Sequence, residues 1–264
     1  MSITATILGC GSSGGVPRIG NQWGACDPSN PRNRRLRCSL LLTRSGPAGL
    51  TRVLIDTSPD LREQMLRAGA DHLDAVLFTH EHADHTHGID ELRAFYLRGR
   101  KRVPVWADET TGTLLTARFG YCFYTAPGSD YPPILDLRRL VAGENVTIEG
   151  KGGALSFLPF IVRHGTSEAL GFRVGGLAYT PDLDDIPDIS LEFLGGLDVW
   201  IVDALRIDPH PSHFHLSETL AWIERIKPGR AILTNMHIDL DYVSLLRMLP
   251  KSVEPAYDGM TIVI

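Results

Sequence analysis

Cysteine is scarce in this 264-residue chain: Cys10, Cys26, Cys38 and Cys122 are well separated and form no CxxC pair. That excludes a zinc ribbon and a disulfide-stapled secreted scaffold. No apolar run approaches the roughly 20 residues needed to span a bilayer, and residues 1–10 lack the basic start and long apolar core of a secretory leader. A cytoplasmic address with reduced thiols and no membrane partner is therefore expected. Lysine is nearly missing, with 4 against 22 arginines, and 31 acidic side chains against 26 basic ones leave a formal charge of -5. A polynucleotide partner is not expected, because neutralising many phosphates takes a dominant basic face. Linkers, low-complexity tracts and internal repeats are also lacking, so residues 1–264 read as a single domain, long enough for a sizeable core. With 43% hydrophobic and 22% charged residues, extensive disorder is excluded as well.

Short β-like runs alternate with helical stretches. Ile3–Leu8, Ser39–Thr43, Val53–Asp56 and Ala75–Thr79 read as strands, and Pro59–Ala68 as a helix opened by Ser58 as cap and Pro59 in its first turn. A short helix near Gly88–Phe95, a strand at Val103–Ala107 and a helix from Glu109 to Phe119 follow. Residues 134–177 read mainly as strands, and the strands include Leu155–Val162, Gly171–Val174 and Leu177–Thr180. Val199–Asp203, Ser217–Ile226, Ala231–Thr234 and Tyr242–Leu249 then alternate strand and helix before a last strand at Thr261–Ile264. Meanders mixed with βα units predict packed sheets flanked by helices, not one doubly wound parallel sheet.

Gly9-Cys10-Gly11-Ser12-Ser13-Gly14 fits G-x-G-x-x-G after a strand, the setting of a dinucleotide fingerprint. The sequel does not fit: Gly15-Val16-Pro17 breaks the helix that should receive a pyrophosphate, and Arg32–Arg35 stands where an acid should be. A glycine turn that lets backbone approach a neighbour closely is the better reading.

The chemistry gathers at His80-Glu81-His82-Ala83-Asp84-His85, directly after an apolar strand. An extended-to-turn backbone there can aim alternate imidazoles at one ion while the next two side chains swing toward a second. His164, Asp182 and His237 each follow a further predicted strand. Together these seven residues resemble the ligand set of the metallo-β-lactamase superfamily, and the resemblance spans nearly the whole chain. It implies a four-layer αβ/βα sandwich with a dinuclear centre at the sheet edges. Carried over by motif, His80, His82 and His164 hold one divalent ion, Asp84, His85 and His237 the other, and Asp182 bridges them. Asp56 matches the superfamily's early carboxylate that orients the histidine loop.

The superfamily has many activities. Phe214-His215-Leu216-Ser217 resembles its phosphodiesterase branches, the transfer-RNA 3' processing nucleases and the cyclic phosphoribosyl phosphodiesterases, in which such a histidine faces the scissile phosphate. Between His164 and Asp182 there are 17 residues (182 - 164 - 1), too few for the RNA-gripping arm common in the bacterial nucleases. The Leu8–Pro17 loop, Cys26 and Arg34–Ser39 also resemble the small-molecule branch. One departure is that Asn21, Trp23 and Leu240 stand where its structural zinc would need ligands, so no structural zinc is expected. The resemblance implies two ions, zinc or manganese, hydroxide attack on a small cyclic or nucleotide-like phosphodiester, and His215 and Asp182 as catalytic residues. A lactone or thioester hydrolase on the same ions and a transfer-RNA nuclease remain alternatives, and a homodimer stays open. His72, His87, His210 and His213 read as surface or supporting residues, with a substrate contact open to His213. Arg32–Arg37 and Arg98–Arg102 read as solvated faces, and these or Arg206 could hold a substrate phosphate.

Overall fold

The computed structural model describes residues 2–264 and consists of two 7-stranded sheets. The first sheet contains β1 (Ser2–Gly9), β2 (Ser39–Gly46), β3 (Gly49–Ile55), β4 (Ala75–Leu77), β5 (Val103–Ala107) and β6 (Leu135–Arg139). The second runs through β7 (Val146–Ile148), β8 (Leu155–His164), β9 (Ser167–Val174), β10 (Leu177–Thr180), β11 (Val199–Asp203), β12 (Arg230–Thr234) and β13 (Val253–Pro255). The last strand, β14 (Met260–Val263), returns to the first sheet beside β1. Each sheet is antiparallel on one side and parallel on the other, with β3–β6 and β10–β13 as the parallel halves.

Side-chain alternation explains the layers. Leu40, Leu42, Val53, Ile55, Ala75 and Leu77 point into the core shared with the second sheet, where Phe157, Phe160 and Trp200 pack. The residues between them, Leu41, Leu54 and Val76, point the other way and cover a second core with Leu61, Met65, Ile89 and Leu115 from flanking helices. The second sheet is covered on its outer side by the helices Leu216–Ile226 and Tyr242–Met248, through Leu216, Ile223 and Leu245. The result is helix, sheet, sheet, helix, the αβ/βα sandwich expected from the sequence.

Two boundaries next to the histidine loop differ from the sequence reading. The first helix starts at Leu61, and Ser58 serves it from outside: its carbonyl accepts the Leu61 N–H at 2.9 Å and its hydroxyl accepts the Asp60 N–H at 3.2 Å. The strand leading to the histidines ends at Leu77, and Phe78 keeps one bond, from its N–H to the Trp106 carbonyl. A one-turn helix, Ala83–Thr86, lies inside the histidine motif itself. No helix among the described residues is long and apolar enough to cross a membrane.

The histidine loop is stitched to the end of β3. Thr57 N–H donates to the His85 carbonyl at 2.8 Å, and Gly88 N–H donates to the Thr57 carbonyl at 2.9 Å. A Cβ at Gly88 would lie 2.0 Å from the Ser58 carbonyl oxygen, a backbone atom that cannot step aside. Gly88→Ala is therefore expected to cost about 1–3 kcal/mol, read as a lower urea midpoint with an unchanged slope. An unchanged midpoint would show that this stitching does not hold the loop.

Candidate metal centre and adjoining cavity

Parallel strands end along one edge of each sheet, and the reactive side chains sit just beyond those ends. His80 follows β4, His164 ends β8, Asp182 follows β10, Asp203 ends β11 and His237 follows β12. The structure thus brings together residues up to 157 positions apart (237 - 80).

Four imidazoles gathered at these ends, His80, His85, His164 and His213, each have one nitrogen committed to an outer partner. Thr79 Oγ1 donates to Asp56 Oδ2 at 2.8 Å, so it accepts from His80 Nδ1 at 2.9 Å. His85 Nδ1 donates to Asp56 Oδ2 at 2.8 Å, and His164 Nδ1 to the Ser212 carbonyl at 2.7 Å. His213 Nδ1 lies 2.8 Å from Asp203 Oδ2. These bonds turn each Nε2 inward, and at His80 and His164 they leave its lone pair exposed, the arrangement a metal-binding imidazole needs. Burial pulls the pKa of His80 and of His164 below the usual range, which keeps both rings neutral.

Three groups of side chains could each hold an ion: His80, His82 and His164; His80, His85 and Asp182; and His164, Asp182 and His213. His82 Nδ1 lies 3.0 Å from His80 Nε2 and 3.1 Å from His164 Nε2, so three nitrogens converge with at most one proton to share. His85 Nε2 and Asp182 Oδ1 are 3.2 Å apart, yet both are buried without a hydrogen bond. Converging lone pairs and orphaned buried polar atoms are costly in a protein interior unless a cation engages them. The donor set therefore fits divalent metal ions.

Asp84 and His237 fall outside those three groups. Asp84 Oδ2 is 3.6 Å from His85 Nε2, and His237 Nδ1 is 2.7 Å from Asp239 Oδ1. Both line a cavity of about 150 Å³ with His213, Ser12, Arg18 and Arg206. The Arg18 guanidinium has no side-chain partner among the described residues, whereas Arg206 braces its own loop through the carbonyls of Asp208, at 3.0 Å, and Pro209, at 2.6 Å. Burial lowers the His237 pKa, the Asp239 carboxylate opposes that shift, and the charges of Arg18 and Arg206 add to it.

The structure places His213, rather than His215, beside Asp182. His213 Nε2 is 3.9 Å from Asp182 Oδ2. His215 instead occupies the N-cap position of the helix Leu216–Ile226, with its Nδ1 3.1 Å from Glu218 Oε2. Burial opposes a charge on His213, but the Asp203 carboxylate overrides it and holds the ring above the usual histidine range. Asp203 also accepts from the Leu183 N–H and from Asn235 Nδ2, each at 3.2 Å. Sequence reading did not assign Asp203, Asn235 or Ser12 to the site. Asp56 and Asn235, with φ of 64° and 58°, both turn in the left-handed region at strand ends. Asp and Asn tolerate that region better than most residues, and such turns cluster at functional sites.

The glycine loop rules out a dinucleotide fold locally, since β1 runs antiparallel to β2 and no α-helix lies between them. Instead the loop packs on residues 35–37, where a Cβ at Gly9 would sit 2.1 Å from the Arg37 carbonyl. It is anchored by Asp258, which accepts the N–H groups of Cys10 at 3.2 Å and Leu36 at 2.8 Å. Burial raises the Asp258 pKa to about 7 from an unfolded value of 3.8. The folded chain therefore holds a proton that the unfolded chain releases between those values, and this group's contribution to stability falls as pH rises from about 4 to about 7. The urea stability of Asp258→Asn relative to the native chain is expected to rise across that window. A pH-independent difference would contradict this assignment.

Comparison with known proteins agrees with this architecture. The β-lactamase superfamily domain model matches residues 51–238. A crystal structure described as a new diphosphatase from the PhnP family is 38% identical, superposes with a TM-score of 0.89, and is covered over 98% of its length by all of this chain. Zinc-bound PqqB from Methylobacterium extorquens shares the fold at 19% identity and a TM-score of 0.73, with 98% of this chain and 99% of that one covered. A Porphyromonas gingivalis protein named octanoyltransferase is 33% identical over 98% of this chain, which spans only 51% of that relative's length. The chain belongs to the metallo-β-lactamase superfamily, as a hydrolase-fold member related to the PhnP family.

Proposed function

We propose that this chain is a dinuclear metal-dependent phosphodiesterase that hydrolyses a small, cyclic ribose-like or nucleotide-like phosphodiester. The observation that carries the reading is the Asp203–His213–Asp182 alignment: an imidazole held at Nδ1 by a buried carboxylate at 2.8 Å, with Nε2 directed to the candidate metal ligands. His80, His82 and His164 would hold one ion, and Asp84, His85 and His237 the other, with Asp182 between them. When bound there, such ions would provide a water acidic enough to ionise near neutrality and positive charge for the phosphoryl oxygens.

The chain's own residues do the rest. Asp203 fixes the Nδ1–H tautomer of His213 and favours its protonated state, so Nε2–H can donate to a phosphoryl or leaving oxygen. Asp56 orients His85 directly and His80 through Thr79. Arg18 offers a guanidinium to an anionic group entering the cavity. Ser12 Oγ, buried and without a partner, adds a hydroxyl on the same wall.

The lining also weighs against the acyl alternatives. Leu205 is the one aliphatic side chain among residues otherwise polar or charged, so an octanoyl-sized chain finds no apolar slot there. The octanoyltransferase name belongs to a relative about twice as long, and the activity it describes need not lie in the matched half. Against a transfer-RNA nuclease, His164 and Asp182 are joined only by β9, β10 and short turns, with no arm. The metal-loaded chain is expected to hydrolyse bis-p-nitrophenyl phosphate and a cyclic ribose phosphate, and to leave acyl-homoserine lactone and octanoyl thioester intact. Turnover of the lactone or thioester alone would sink the proposal.

A further inference from the structure

The basic run Arg98–Arg102 has no part in the metal centre. The fold lays Arg98, Lys101 and Arg102 along a cleft of about 870 Å³ whose other walls carry Arg52 and Lys151. Two of the chain's four lysines thus face one cavity. The cleft lies at the opposite edge of the first sheet from the metal centre. Asp74, which lines it, precedes β4, while His80 follows β4, and six residues of extended chain separate them by about 20 Å.

The cleft's charge is not cancelled internally. Asp71 is engaged by Arg52 at 2.6 Å, by His72 at 2.9 Å and by Arg98 at 3.7 Å. Asp74 accepts the Arg52 backbone N–H at 2.8 Å. Lys101, Arg102 and Lys151 have no ion-pair partner among the described residues, and Glu149 is the one further acid on the lining. Unpaired cations converging on a concave surface focus a positive potential, in a protein whose overall charge is negative. Phe95, Leu50 and Pro104 add apolar wall, and the volume suits a small molecule rather than a single ion.

We propose that this cleft binds a small oligophosphate, free or carried by a nucleotide, independently of the metal centre. Three ammonium and guanidinium groups without counterions match several phosphate oxygens at once, as one phosphate monoanion would not.

Calorimetric titration of the metal-loaded chain with tripolyphosphate tests this. The native chain is expected to bind it, and Lys101→Glu/Lys151→Glu to bind it at least about 100-fold more weakly, since each lost charged contact is worth about tenfold or more. Both lysines are exposed, and turnover of bis-p-nitrophenyl phosphate without oligophosphate should stay at the native level. The neutral pair Lys101→Gln/Lys151→Gln guards against a folding effect of charge reversal and should weaken binding in the same direction. Replacing tripolyphosphate by ATP identifies the source: tighter binding assigns the group to a nucleotide, equal or weaker binding to the free oligophosphate. Unchanged tripolyphosphate affinity in both double variants, or no binding to the native chain beyond what the metal centre takes, would overturn the proposal.

Discussion

Replacing His213 by Ala is expected to lower kcat on bis-p-nitrophenyl phosphate by about 10²–10⁴-fold, the range for loss of a positioned proton donor. Metal content should be unchanged, because the seven side chains proposed to hold the ions are all retained. Replacing His215 by Ala is expected to change kcat by less than about threefold, since the residue stands at the N-cap position of a helix and its imidazole faces Glu218 at 3.1 Å. The contrast is informative because the two histidines are two residues apart and differ in anchoring. Asp203→Asn should follow His213→Ala in direction: an amide oxygen still accepts from Nδ1–H but no longer favours the charged ring. If His215→Ala proved the inactive variant, the assignment of the proton donor would be reversed.

Removing metal is the second large effect. Chelation is expected to bring hydrolysis down to the uncatalysed background, and also to destabilise the fold. Metal bound at 1,000 times its dissociation constant stabilises a folded chain by about 4 kcal/mol. In a chain of this size that corresponds to a Tm lower by about 8–16 °C after chelation. The physical source is visible at His80, His82 and His164, whose nitrogens stand 3.0 and 3.1 Å apart, and at the orphaned His85 Nε2 and Asp182 Oδ1. Restoring zinc or manganese should recover both activity and Tm. A Tm indifferent to chelation would mean that these side chains do not hold metal.

Much of this was legible in the sequence because the signals were local. The strand at Val103–Ala107, the strand at Val199–Asp203 and the histidine motif each depend on neighbouring residues, and the first two match the observed elements end to end. The mixture of strand meanders with βα units was enough to predict packed sheets with helices outside. What escaped was set by partners far away in the chain. His213 and His215 flank one buried Phe214, and nothing local distinguishes them. The choice is made by Asp203, ten residues earlier, whose Oδ2 captures His213 Nδ1, while the helix start at Leu216 directs His215 toward Glu218. Ser12 was hidden for a similar reason. The G-x-G-x-x-G pattern read as a close-packed glycine turn, but the loop's place beside His237 depends on Gly11 pairing with Met236 across the sheet edge. The single-turn helix Ala83–Thr86 is too short for any periodicity to announce it.

The most direct test of a dinuclear phosphodiesterase is a titration of the metal-depleted chain with manganese or zinc, with bis-p-nitrophenyl phosphate turnover recorded at each addition. The rate should rise to a plateau at two ions per chain. A plateau at one ion, or no turnover at any loading, would contradict it.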